Sequence, residues 1–155
     1  MGFPDQMAQA LALLIMMQPA ISDYRARSFN GLPVLFTGMG AGLVMMGIRI
    51  LQEGACRALL WYPAGLLVGL IFLLMAYVTG EAVGYGDGVM MLVLGFLLGL
   101  SRITVILMIA LSLICLRGLY LIAGRHMGGK HELPFLPYML TAQVLYALFE
   151  AVAAL

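Results

Sequence analysis

The feature that most constrains this chain is a long apolar run without a single charge, residues 58–79. A helix that crosses the hydrocarbon core of a bilayer needs about 20 mostly apolar residues, and this run meets that length. The whole chain shares the character of the run, because 64% of its residues are hydrophobic and only 10% are charged. A soluble domain carries about 25% charged residues. We therefore predict a membrane protein, and the absence of a basic run argues against nucleic acid as a partner.

Five further apolar segments surround this run: residues 6–22, 32–48, 88–100, 103–123 and 133–149. Backbone polar groups in lipid must be satisfied within each segment, which favours helices. The sequence thus predicts an all-α, polytopic membrane protein with about six transmembrane helices in one domain, residues 1–155. No Lys or Arg precedes the first segment, so we expect a retained span rather than a cleaved signal peptide.

The fourth segment is short, since its 13 or so residues cover only about 20 Å as a helix, so it crosses only if one end starts below the membrane surface. We expect its amino end to start below the membrane surface. The glycine-rich loop before it would then dip inward and carry Asp87 with it.

The distribution of Lys and Arg between the loops predicts the orientation. One face holds Arg25, Arg27, Arg125 and Lys130, with Arg117 close by, and the other holds Arg49, Arg57 and Arg102. The excess favours an N-terminus outside the cell membrane and the more basic face in the cytoplasm.

Most of the remaining polar residues suggest no chemistry. Asp5, Glu53 and Glu150 lie near the chain ends or in the loop on the less basic face, where we expect solvated end groups. Cys56 and Cys115 form no paired motif, and a structural zinc site needs four clustered ligands, so no metal is expected.

Asp23 and Asp87 differ from these acids because they follow the first and third segments. Two crossings separate them, so both lie on the more basic face. For Asp87 two interpretations stay open: an N-cap of the fourth helix, or an acid presented on a tight turn by glycines 84, 86 and 88.

Taken together, the two acids suggest a catalytic pair. Two carboxylates within hydrogen-bond reach share one proton. The ionised member then takes a proton from a water, while the protonated member polarises a carbonyl, which is general acid–base hydrolysis of an amide. The start of the fourth helix favours the charged form of Asp87, so Asp23 more often holds the shared proton.

The stretch "GEAVGYGD" resembles the second catalytic motif of the type IV prepilin peptidases, which are membrane aspartic proteases of the GxGD type. The matching residues are Glu81, Gly84, Gly86 and Asp87. The stretch "SDYRARSFN" is similar to the first family motif through Asp23 and Asn30, with a basic turn between them. The stretch "ELPFLP" is similar to the element that opens the last helix of the family, through Pro134, Phe135 and Pro137.

The resemblance implies an aspartic endopeptidase with Asp23 and Asp87 as the catalytic pair and without a cofactor. It implies that the substrate is the leader of a prepilin or pseudopilin, cleaved at the cytoplasmic face of the cell membrane. It also implies a short form that has no methyltransferase activity, because the paired cysteines of longer members are missing. Two residues depart from the family pattern: Val89 stands where a lysine is usual, and Phe29 where a proline is usual.

Two other classes of protein remain alternatives. A small ion-coupled transporter would use the two acids as a relay, but such proteins usually place acids in mid-span and have symmetric repeats. In a non-catalytic membrane assembly protein, both acids would be incidental.

Overall fold

The computed structural model describes residues 3–26, 31–79, 84–123 and 135–153, which form six α-helices and no strand. The all-α prediction is confirmed for this part of the chain. The helices are α1 (Phe3–Ala26), α2 (Gly31–Glu53), α3 (Ala55–Val78), α4 (Tyr85–Leu98), α5 (Leu100–Ala123) and α6 (Phe135–Ala153).

Four of these helices are long and apolar enough to cross a membrane, as expected of a multi-pass membrane protein. Their apolar stretches are Leu32–Gln52, Ala58–Val78, Leu100–Tyr120 and Phe135–Ala153. The apolar part of α1, Asp5–Met17, is shorter, and so is the whole of α4.

Helix α4 lies at the centre of the bundle. It packs against α1, α2, α3 and α5, while the other five helices follow one another around it in the order α1, α2, α3, α5, α6. From Met90 to Leu98 every residue of α4 except Leu92 is buried. A helix that is apolar on all sides belongs in an interior, and this is the position that α4 takes.

Glycines bring α3 and α4 into contact along their backbones. A methyl group at Gly65 would overlap the carbonyl oxygen of Gly95, and one at Gly95 would overlap the carbonyl oxygen of Gly65. One turn further along α3, Gly69 faces the backbone of Leu92 in the same way. Small residues permit such close approach of helices in lipid, and these glycines have that packing role.

Helix α2 uses two glycines to receive larger side chains of α4. Gly38 faces Val93, and Gly42 faces the ring of Phe96. Gly99 has a different role, because its φ of 81° ends α4 and α5 begins at the next residue. Gly54, with a φ of 90°, makes an equally short junction between α2 and α3.

These contacts show at which end α4 is short. In the contacts between α2 and α4, Gly38 faces Val93 and Gly42 faces Phe96. The same offset places Gly31, the first residue of α2, at the level of Gly86. At its carboxyl end, however, α4 stops about 11–14 Å before the far ends of α2 and α3, at 1.5 Å per residue. Relative to these neighbours the amino end of α4 is level with theirs and the deficit lies at the carboxyl end, while the depth of Asp87 in a membrane stays a prediction.

Candidate functional site

Asp87 lies in the first turn of α4, at one end of the bundle, which we call the Asp87 end. The residue that precedes the helix is Gly84, whose φ of −62° and ψ of 133° are extended. The backbone N–H of Asp87 donates to the Gly84 carbonyl at 3.0 Å. The N-cap interpretation of Asp87 is therefore wrong, because the helix begins two residues before it.

The Asp87 carboxyl group folds back over this first turn. A methyl group at Gly84 would lie 3.6 Å from Oδ2 of Asp87, which places the carboxyl beside the start of the helix. The amino end of a helix carries a partial positive charge that favours a negative side chain. Asp87 is partly buried, and Gly86 precedes it in the same turn.

Gly88 explains why the residue after Asp87 is small. A methyl group at Gly88 would come within 2.8 Å of Cδ2 and 3.1 Å of the backbone nitrogen of Leu73 on α3. Any larger residue would push the first turn of α4, and Asp87 with it, away from α3. This role of Gly88 was not predicted from the sequence. Its spacing from Gly95, two helical turns, was the available signal.

Asp23 lies near the carboxyl end of α1, and α1 packs directly against α4. The side chain of Asp23 lies outside the described part of the structure, so the separation of the two carboxylates is also outside it. The backbone level of Asp23 along the bundle follows from contacts that α1 makes elsewhere.

Two routes give nearly the same level for the Asp23 backbone. Asp5 of α1 pairs with Arg49 of the antiparallel helix α2. From this pair, a step of about 27 Å along each helix reaches Asp23 on α1 and Gly31 on α2. Gly31 is level with Gly86. Gln9 of α1 donates a hydrogen bond to Glu150 of α6. From this pair, a step of about 21 Å along each helix reaches Asp23 on α1 and Leu136 on α6. Both routes place the Asp23 backbone within about one helical turn of the level of Asp87.

The described residues of the stretch that resembles the third family motif also lie at the Asp87 end. Phe135 is the first residue of α6 and Pro137 lies in its first turn. The ring of Phe135 is 5.9 Å from that of Phe72, the neighbour in sequence of the Leu73 that faces Gly88. The remaining supporting residues, Asn30, Glu81 and Pro134, lie outside the described residues.

The opposite end of the bundle holds a second polar group, which we call the Arg49 cluster: Asp5, Gln9, Arg49, Arg102, Tyr146 and Glu150. Asp5 Oδ1 lies 2.9 Å from Nη1 of Arg49 and 2.7 Å from Nη1 of Arg102. The Arg49 side chain is only 1% exposed, and its guanidinium lies 4.0 Å from the ring centroid of Tyr62. Because α4 ends about 8 Å before this level, the interior position that it would occupy is open to Arg49.

Glu150 completes the Arg49 cluster from α6. It accepts hydrogen bonds from Gln9 and, at 3.0 Å, from the Tyr146 hydroxyl, and it lies 3.6 Å from Nε of Arg102. The expectation that Asp5 and Glu150 are solvated end groups is wrong, since their side chains are 16% and 20% exposed. The helices extend beyond the apolar segments and carry these acids to the arginines. The side chain of Glu53 lies outside the described part.

An apolar layer separates the two ends. Gln143, on the face of α6 that carries Tyr146 and Glu150, is fully buried about 13 Å above the level of Asp87. Among the described residues, the buried side chains between these levels are apolar and include Met90, Met91, Leu94, Leu136 and Met139. The Arg49 cluster therefore makes no contact with Asp87, from which it is separated by about 24 Å along the axis.

Comparisons of the chain with protein-family models, curated proteins and solved structures gave no match.

Proposed function

We propose that this chain is a membrane aspartic endopeptidase that cleaves the leader of type IV prepilins or pseudopilins. The observation that carries the proposal is the placement of Asp87 in the first turn of α4, with the Asp23 backbone at nearly the same level on the adjacent helix α1. These two residues stand in the motifs that resemble the catalytic motifs of the prepilin peptidases.

The proposed reaction uses the two carboxyl groups in turn. The ionised carboxylate removes a proton from a water, whose oxygen adds to the scissile carbonyl carbon while the protonated carboxyl donates to the carbonyl oxygen. Collapse of this intermediate breaks the carbon–nitrogen bond, and the amine leaves with a proton from the pair. The amino end of α4 favours ionised Asp87. Asp23 then holds the shared proton for more of the time, although the two acids titrate as a pair.

The same proposal includes six membrane-crossing helices in the cell membrane, with the N-terminus outside and the Asp87 end in the cytoplasm. Positive charges in the flanking loops determine orientation. Arg49 and Arg102 are paired with acids, so they count less as free positive charges on the opposite side. The excess of Lys and Arg at the Asp87 end is correspondingly larger.

The alternative is a transporter that relays protons between Asp23 and Asp87. The Arg49 cluster is relevant to it, because intramembrane charges often mark ion pathways. A relay needs a polar path along the bundle. In the described residues the path stops at Gln143 and is followed by buried methionines and leucines, which favours the peptidase. A non-catalytic assembly protein remains the third alternative, and only an activity measurement separates it.

The test is co-expression of the chain with a candidate prepilin, with loss of the leader followed on a gel. We expect Asp23→Asn and Asp87→Asn each to abolish cleavage while the protein still accumulates in the membrane. Glu53→Gln, at the opposite end of α2, is the matched control and should cleave normally. Cleavage at the wild-type rate by either aspartate variant contradicts the catalytic pair, and no cleavage by the wild-type chain with any prepilin contradicts the peptidase.

A further inference from the structure

The two helices that carry the candidate catalytic residues are joined at the end of the bundle opposite to those residues. Asp5 lies in the first turn of α1, the helix that carries Asp23. Its partner Arg102 lies in the first turn of α5, which follows α4 after the single residue Gly99. The ion pair therefore connects α1 directly to the α4–α5 unit.

Three apolar side chains on the described part of α1 are fully buried, Ala8, Ala12 and Met16, and Pro19 is also buried. These described contacts fix the height of α1 along the bundle only weakly. Two alanines present a smooth surface, and methionine adapts its shape to its surroundings. Directional polar contacts are different, because hydrogen bonds and ion pairs lose strength steeply with distance and angle. Asp5 and Gln9 provide such contacts to α2, α5 and α6.

We propose that Asp5, together with Arg49 and Arg102, positions α1 along and around its axis and so places its far end relative to the first turn of α4. This inference rests on the proposed function, in which those two parts carry the catalytic pair. The three residues are positioning residues, because the Arg49 cluster is about 24 Å from Asp87 along the bundle and touches no substrate.

The size of the expected effect follows from the geometry. A displacement of α1 by one residue moves Asp23 by about 1.5 Å along the axis. A misplacement of about 1 Å in a catalytic group costs up to about 100-fold in rate. The loss should appear in kcat, because the displaced group, Asp23, acts on the reacting atoms in the proposed reaction.

The main variant is Asp5→Leu/Arg49→Met, which removes one acid and one arginine and leaves Arg102 beside Glu150. Asp5→Asn serves as the second variant, and Arg117→Met is the matched control. Arg117 is exposed, and its described contact is with the ring of Tyr120 on its own helix.

The first measurement is a distance between spin labels on Ala26→Cys and Tyr85→Cys, which flank the candidate pair at the ends of α1 and α4. The two native cysteines, which are free and exposed, are replaced by serine. We expect the distance distribution to shift or broaden in Asp5→Leu/Arg49→Met and in Asp5→Asn, and to stay unchanged in Arg117→Met. An unchanged distribution in both cluster variants overturns the inference.

The second measurement is leader cleavage, with kcat and KM determined separately. We expect kcat of Asp5→Leu/Arg49→Met to fall about 10- to 100-fold and its KM to stay within about twofold of the wild-type value. The conservative variant Asp5→Glu keeps a carboxylate and should have a kcat between those of Asp5→Asn and the wild type. A wild-type kcat in the double variant overturns the positioning role while the proposed function stands. If the wild-type chain cleaves no leader, the proposed function fails, and the label distance alone decides whether the cluster positions α1.

Discussion

The two ends of the bundle are held together in different ways. At the Arg49 end, acids and arginines from α1, α2, α5 and α6 form a cluster in which two carboxylates face two guanidinium groups. At the Asp87 end, the first turn of α4 lies against α3 through Gly88, and backbone contact continues at Gly69 and Gly65. The first arrangement fails when a charged partner is removed, and the second fails when a methyl group is added.

The largest effect is expected at the Arg49 end. Asp5→Asn removes the carboxylate beside a guanidinium that is almost fully buried. Breaking a buried ion pair from one side costs about 3–5 kcal/mol, whereas replacing both partners by apolar residues is often nearly neutral. Asp5→Asn should therefore lower the free energy of unfolding by that amount, measured in mixed detergent and denaturing micelles. The double variant Asp5→Leu/Arg49→Met should be more stable than Asp5→Asn, and the reverse order would contradict the ion-pair description.

The next effect concerns the glycine contacts. Gly65→Ala and Gly95→Ala each force α3 and α4 apart, and overpacking of this kind costs about 1–3 kcal/mol or more. Gly40 and Gly47 of α2 are matched controls, since nothing lies within 4 Å of a methyl group at either position. Alanine there should be neutral or stabilising by up to about 1 kcal/mol, because it favours the helix. Equal losses at the four positions in thermal unfolding would show that α3 and α4 are not in backbone contact.

Gln143 lies between the two ends and should give a smaller effect of opposite sign. Both polar atoms of its side-chain amide are buried without a hydrogen-bond partner among the described residues. A buried unsatisfied group costs about 1–3 kcal/mol, so Gln143→Leu should raise the midpoint of thermal unfolding. Gln143→Glu, which adds a charge at the same position, should lower it. A loss of stability in Gln143→Leu would reveal a partner of the amide.

Different amounts of this structure were accessible from the sequence. Helical segments were predictable because long apolar runs leave the backbone no other choice in lipid. The first turn of α4 was predictable only in part. Gly84, Gly86 and Asp87 are close in sequence and form one local structure, but the apolar run predicted a helix start at residue 88, whereas the helix begins at Tyr85 and includes Asp87.

The Arg49 cluster was not predictable in this way. Its members come from the ends of four helices, and each looks like an ordinary terminal charge when it is considered alone. Their pairing depends on how far each helix continues past its apolar segment and on where α4 stops. Both properties are determined by packing between helices, and the pattern of apolar and polar residues in the sequence does not report that packing directly.

The smallest predicted effect concerns Val89, two residues after Asp87, where the prepilin peptidases usually have a lysine. Val89 is partly buried near the start of α4. Residues two apart on a helix do not face each other, but a lysine at this position would add a cation to the first turns of α4, which carry one member of the proposed catalytic pair, and a nearby opposite charge favours the ionised form of a carboxyl group. Val89→Lys should therefore lower the pKa of the pair and move the acidic limb of the pH–rate profile down by up to about one unit.

The matched control is Val89→Met, which has similar length but no charge and should leave that limb in place. A shift of the same size in both variants would mean that side-chain length and not charge acts on the pair. An unchanged limb in Val89→Lys, with cleavage intact, would show that the ammonium group turns away from Asp87 towards lipid headgroups or solvent.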